Sequence, residues 1–162
     1  MTNVGGSPLH IVLYQPEIPD NTGNVGRTCV ALGAKLWLVR PLGFRLEDRR
    51  LRRAGLDYWQ HLDWEAVDDW SALVGRLGRR PWLFTKHAAT SYTDAAFSRA
   101  DVLVFGSESQ GLPDALLGAY PDRCLRIPMA AEARSLNLAV SVAVAAFEAR
   151  RQLSAEPQVS PR

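Results

Sequence analysis

Cysteine and histidine are scarce in this chain, two and three among 162 residues. Cys29 and Cys124 are too few and too far apart for a disulfide framework, and neither they nor His10, His61 and His87 have metal-binding spacing. Both cysteines sit among apolar neighbours, so they are expected to be reduced and buried as small hydrophobes. No apolar run approaches the roughly 20 residues that cross a bilayer. Met1–Pro8 has neither a basic nor an apolar stretch, so a signal peptide is not expected, and the cytoplasm is the expected compartment. Net charge is only +2, which by itself points to no partner.

Apolar residues make up 47% of the chain and charged residues 22%, the balance of an ordinary globular protein. The length suits one domain, expected over 9–153, with flexible tails at 1–8 and 154–162. Charge is concentrated in one place: Arg45–Arg53 holds five arginines against Glu47 and Asp48. That patch suits phosphate, although charged helix faces are often simply solvated.

Short apolar runs alternate with helical patterns along the chain. His10–Tyr14, Lys35–Val39, Pro81–Thr85, Val102–Phe105 and Cys124–Ile127 read as strands. Helices are expected from the Asp20–Asn24 caps to Gly33, within Arg45–Gly55, from Asp68 or Asp69 to Gly78, and from Pro113 to about Tyr120. A last helix is expected over Ser135–Leu153, capped by Ser135 or Asn137. Strand–helix–strand order predicts an α/β fold with a parallel sheet of about five or six strands.

Three familiar chemistries fail on spacing. Gly106 and Gly111 have the glycine interval of a phosphate-binding P-loop, but Leu112 and Pro113 stand where lysine and serine or threonine must follow. Ser109 lacks the upstream glycine of a hydrolase nucleophile elbow. A dinucleotide-binding G-x-G-x-x-G is absent. What remains is a glycine loop at the C-terminal end of a strand, where open α/β sheets bind ligands. A second ligand platform is the strand–loop–helix around Leu125–Ala139, with its free backbone N–H groups.

Three segments then occur in order: NTGNVGR at 21–27, FGSESQGLP at 105–113, and LRIPM…RSLNLAVSVA at 125–143. Together they resemble the signature motifs of the SPOUT superfamily of S-adenosylmethionine-dependent RNA methyltransferases, over about residues 9–153. LYQPEIPDNTGN and LRRAGLDYW are similar to the small stand-alone subgroup that methylates the ribose 2′-oxygen of the tRNA wobble nucleotide, cytidine or uridine 34.

The resemblance implies a mostly parallel sheet with helices on both faces and a C-terminal deep trefoil knot, a rare exception to unthreaded chains. It implies S-adenosyl-L-methionine as methyl donor, S-adenosyl-L-homocysteine as product, and no metal, since a sulfonium methyl is already an activated electrophile. Partners are a tRNA substrate and a second copy in a homodimer whose sites are completed across the interface; DNA and membrane are not expected. Phe84, Gly106, Glu108, Gly111, Ile127, Met129, Ser135 and Leu136 match the cofactor loops. The N–H groups of Ile127 and Leu136 are candidates to read the adenine edge, and Gly106 to keep the approach open beside the ribose.

Arg27 and Asn137 match the catalytic positions. Arg27 stays protonated, so its expected role is to clamp the target phosphate and stabilise a developing alkoxide. For Asn137, helix capping is an equal alternative. Asn24, Arg49, Arg52, Arg53 and Arg134 are the RNA-binding candidates. Some relatives place a tyrosine where Phe147 stands and often a lysine near His87, where Lys86 stands one place earlier. The open alternatives are a relative acting on another tRNA or rRNA ribose, and a non-catalytic RNA-binding knot protein.

Overall fold

A computed structural model describes residues 6–155, with the side chains of residues 52, 54–57 and 155 outside the description. Both expected tails therefore lie mostly outside the described residues. In order come β1 (Leu9–Tyr14), α1 (Pro19–Leu32), β2 (Lys35–Val39), α2 (Arg49–Gly55), β3 (Trp64–Val67), α3 (Trp70–Leu77), β4 (Trp82–Phe84), β5 (Thr90–Ser91), β6 (Asp101–Phe105), α4 (Asp114–Ala119), β7 (Cys124–Arg126) and α5 (Leu138–Ala155). Short 3₁₀ turns cover Leu56–His61, Tyr92–Asp94 and Pro121–Arg123.

The strands form one sheet in the order β3-β2-β1-β6-β4-β7-β5, and every strand pair in it is parallel. Seven strands replace the expected five or six. β3 and β5 were not foreseen because each is short, lies at a sheet edge and alternates little. β7 is laid between β4 and β5, two strands that directly follow one another in the chain. Such an insertion is compatible with the threading that the resemblance implies.

Alternation along the strands sends side chains to two cores. Ile11, Leu13, Leu36, Leu38, Leu103 and Phe105 join Val25, Cys29 and Leu32 of α1 and Val142, Ala145, Ala146 and Ala149 of α5. Val12, Trp37, Val39, Leu83, Val102 and Val104 meet Leu73 of α3 and Leu116 of α4 on the opposite face. Each fully buried leucine or valine contributes roughly 1.5–3 kcal/mol. Helices thus cover both faces, as expected. Cys29 is wholly buried, and burial pushes its thiol up to about 12.

Two glycine stops behave as read: Gly33 and Gly78 end α1 and α3 in the left-handed conformation, φ 66° and 59°. Asp69 caps α3, accepting from the Ala72 N–H at 2.8 Å. The start of α1 differs from expectation. Asn21, Thr22 and Asn24 lie inside the helix, Pro19 opens it, and no side chain of the preceding Ile18 caps it. α2 is shorter than the expected Arg45–Gly55, and α5 begins at Leu138 rather than Ser135.

Candidate active site

The C-terminal ends of β4, β6 and β7 open into a cleft of about 560 Å³. All eight residues assigned to the cofactor loops line it: Phe84, Gly106, Glu108, Gly111, Ile127, Met129, Ser135 and Leu136. Arg134 and Asn137 line it too. Phe84 and Phe105 stack at its base, their ring centroids 4.6 Å apart and planes within 15°. The apolar wall continues through Ile127, Met129, Leu136 and Leu138, while Lys86, His87 and Asp114 add charge or polarity.

At Gly106 the loop itself leaves no room for a side chain. A Cβ there would fall 2.1 Å from the Gly111 carbonyl carbon and 2.4 Å from the Leu112 nitrogen. Its bareness lets the loop close on itself. Gly111 takes φ 68°, and its N–H donates to the Ser107 carbonyl at 2.9 Å. The result is a tight loop.

Polar contacts tie the three motif segments together. Glu108 accepts from the N–H groups of Glu17 at 3.0 Å and Ile18 at 2.6 Å, and from the Asn21 amide at 3.5 Å. A carboxylate thus sits at the positive end of α1 and supplies the cap its own sequence lacks. In return Glu17 accepts from the N–H and hydroxyl of Ser109, at 3.2 and 2.5 Å. Those Ser109 bonds, hydroxyl first, hold the Glu17 carboxyl below its ordinary range. Asn137 donates to Asn21 Oδ1 at 2.9 Å, and its own oxygen accepts from Ala139 N at 2.9 Å and Val140 N at 3.3 Å. Asn137 therefore caps α5 while gripping α1. Sequence reasoning placed Asn21 among the helix caps and in the first motif but gave neither it nor Glu17 a role of its own, and their partners are some 90 to 116 residues away.

Arg27 and Asn24 are exposed on α1 and do not line the cleft of their own chain. The Arg27 guanidinium lies over the Tyr58 ring, 5.1 Å from its centroid. α1 packs closely here: a Cβ on Gly26 would stand 3.1 Å from Leu62 and 3.3 Å from Trp59. Arg49 and Arg53 are exposed on α2, while neighbouring Arg50 is paired with Asp48 at 3.1 Å. The Arg52 side chain lies outside the described residues. The structure thus gathers the cofactor candidates and Arg134 in one place, with Asn24, Arg49 and Arg53 outside it.

A methyl donor built of a purine nucleoside and an amino acid fits this lining. Its base needs apolar walls and edge donors, and no hydrogen bond among the described residues takes up the N–H of Ile127 or Leu136. Its charged end needs polar groups, which Asp114, Lys86 and Arg134 offer. Among the described residues no group of three or more histidines, cysteines or acids is placed to hold a metal ion. No helix among them is long and apolar enough to cross a membrane.

Residues 8–147 match the SpoU rRNA methylase family. The chain belongs to that family. It is 46% identical over 144 residues to the tRNA (cytidine(34)-2′-O)-methyltransferase of Methylovorus glucosotrophus, 88% of this chain and 94% of the relative. The protein of the same name from Burkholderia cenocepacia is 46% identical over 152 residues, 91% and 97% of the two chains. A solved structure described as giving insight into 2-OH methylation of C/U34 on tRNA superposes with a TM-score of 0.88 at 51% identity, covering 93% of this chain and 99% of that one. The SpoU methyltransferase AviRb of Streptomyces viridochromogenes, solved with AdoMet, gives 0.79 at 26% identity and covers 93% and 62%.

Proposed function

We propose that this SpoU methylase transfers a methyl group from S-adenosyl-L-methionine to the ribose 2′-oxygen of nucleotide 34 of tRNA. The observation that carries the reading is the convergence of three motif segments on one cleft, joined directly through Glu108, Asn21 and Asn137. Near full-length identity to relatives named for cytidine 34 supports the choice of nucleotide.

When bound, the donor supplies an activated methyl that passes to oxygen as the sulfur–carbon bond breaks, leaving S-adenosyl-L-homocysteine. The chain's residues hold the geometry. Ile127 and Leu136 offer N–H groups to the purine edge, and the closed Gly106–Gly111 loop presents a fixed backbone beside the donor. Fixed alignment of this kind can supply much of the acceleration. Asn137 acts through position, since both ends of its amide are already engaged. Arg27 grips the phosphate next to the target ribose, and that phosphate takes the 2′-hydroxyl proton.

Arg27 stands outside its own cleft, which supports a homodimer in which it serves the partner's site. Val140 and Phe147, 48% and 51% exposed on one face of α5, give an apolar surface for a second copy. Arg49, Arg53 and Asn24 would meet the tRNA from the same side as Arg27. A single catalytic domain over 9–153 and a cytoplasmic setting, where tRNA is, complete the proposal. Tritiated methyl transfer to total tRNA tests it. No incorporation alongside tight donor binding would instead indicate an RNA-binding module.

A further inference from the structure

Glu17 stands where three parts of the molecule meet. Its carboxylate holds Ser109 of the cleft loop, and its N–H is held by Glu108 of the same loop. Its backbone leads directly into α1. On its other side lies Gly43, whose N–H donates to the Pro16 carbonyl at 2.9 Å. A Cβ on Gly43 would come within 2.6 Å of the Glu17 Cα and 2.7 Å of its carbonyl oxygen. Gly43 belongs to the loop that runs into α2 and its arginines. Two residues earlier Gln15 is held at φ 51°, a conformation costly for a side-chain-bearing residue, with its N–H bonded to the Val39 carbonyl at 2.9 Å. Strain of this sort persists only where the surroundings enforce it and gathers near functional sites.

We propose that Glu17 is a positioning residue for methyl transfer, setting the separation between the donor loop, the first turn of α1 and the root of the arginine-bearing segment. The proposal rests on the transferase reading above. Magnitudes separate this role from simple bracing. A hydrogen bond between such solvent-accessible groups contributes little to folding, whereas a misplacement of about 1 Å in a transfer site costs on the order of 100-fold in rate. Loss of Glu17 should therefore be felt in the reaction far more than in stability.

The test uses full-length Glu17→Ala, Glu17→Gln and Gly43→Ala. Single-turnover transfer is measured with S-adenosylmethionine and tRNA saturating. Affinities for S-adenosylhomocysteine and tRNA are measured separately, and amide hydrogen exchange is followed over 106–112 in the free protein. In Glu17→Ala the single-turnover rate should fall about 10- to 100-fold while both affinities change by less than about threefold. Exchange over 106–112 should rise. Glu17→Gln, which keeps an oxygen to accept from Ser109, should recover most of the rate. Gly43→Ala, which displaces the same backbone from behind, should slow transfer as well.

A Glu17→Ala rate within about twofold of the parent, or a loss accounted for by weaker donor binding, overturns the proposal. So does Glu17→Gln as slow as Glu17→Ala. If the parent protein transfers no methyl to tRNA, the transferase reading fails instead, and unchanged exchange over 106–112 in Glu17→Ala then overturns the clasp independently.

Discussion

Asn137 donates to Asn21 at 2.9 Å across 116 residues of sequence, and so locks the start of α5 to the first turn of α1. Its oxygen caps α5 at the same time. The two halves of one amide therefore do separable work. Asn137→Ala should lose both, lowering stability by about 1 kcal/mol through the cap and slowing transfer. Asn137→Asp keeps the capping oxygen but loses the donor to Asn21. It should melt near the parent yet transfer slowly, as thermal melts and single-turnover rates will show.

Arg27→Ala should abolish turnover while leaving affinity for S-adenosylhomocysteine nearly intact by calorimetry. Its place outside its own cleft allows a sharper test. Mixing Arg27→Ala with Gly106→Val subunits should restore about a quarter of parental activity, because each mixed dimer regains one complete site. No recovery on mixing, with dimer exchange verified, would put Arg27 to work in its own subunit.

Replacing Arg49 and Arg53 together should flatten the salt dependence of tRNA binding by roughly two units of slope, about one per lost phosphate contact. Filter binding between low and moderate salt measures it. An unchanged slope would remove α2 from the RNA surface.

How much of this was legible in the sequence depended on how local each cause is. LHIVLY, KLWLV and VLVF each hold an apolar run of four residues, and they fall in strands β1, β2 and β6. Gly33 and Gly78 marked helix ends because only the adjacent backbone decides that conformation. WEAV of β3 keeps one buried side chain and carries Glu65 within it, so its pattern is too weak to stand out. The start of α1 misled because its cap is Glu108, some 90 residues away. Glu17 was invisible for the same reason. The cofactor loops were legible through their resemblance to known motifs, and all eight residues assigned to them line the cleft.

At the far end of the sheet His10 accepts a hydrogen bond from the Trp37 indole at 3.0 Å. Burial first, then the nearby Lys35 and Arg79 charges, lower its pKa from 6.5, with Asp63 acting the other way. The unfolded chain therefore takes up this proton before the folded one. Above about pH 6.5 the group adds no pH dependence, and as pH falls below that value stability should decline. Denaturant titrations from pH 7.5 to 5 should show less decline in His10→Asn, which offers Trp37 an oxygen that does not titrate.

The most direct test of the central claim is to incubate the protein with tritiated S-adenosylmethionine and total RNA, then locate the methyl group by mass spectrometry. The expected product is a 2′-O-methylated ribose at nucleotide 34 of tRNA, with the label lost in Arg27→Ala. Methylation confined to ribosomal RNA or to another tRNA nucleotide, or none at all despite donor binding, would contradict it.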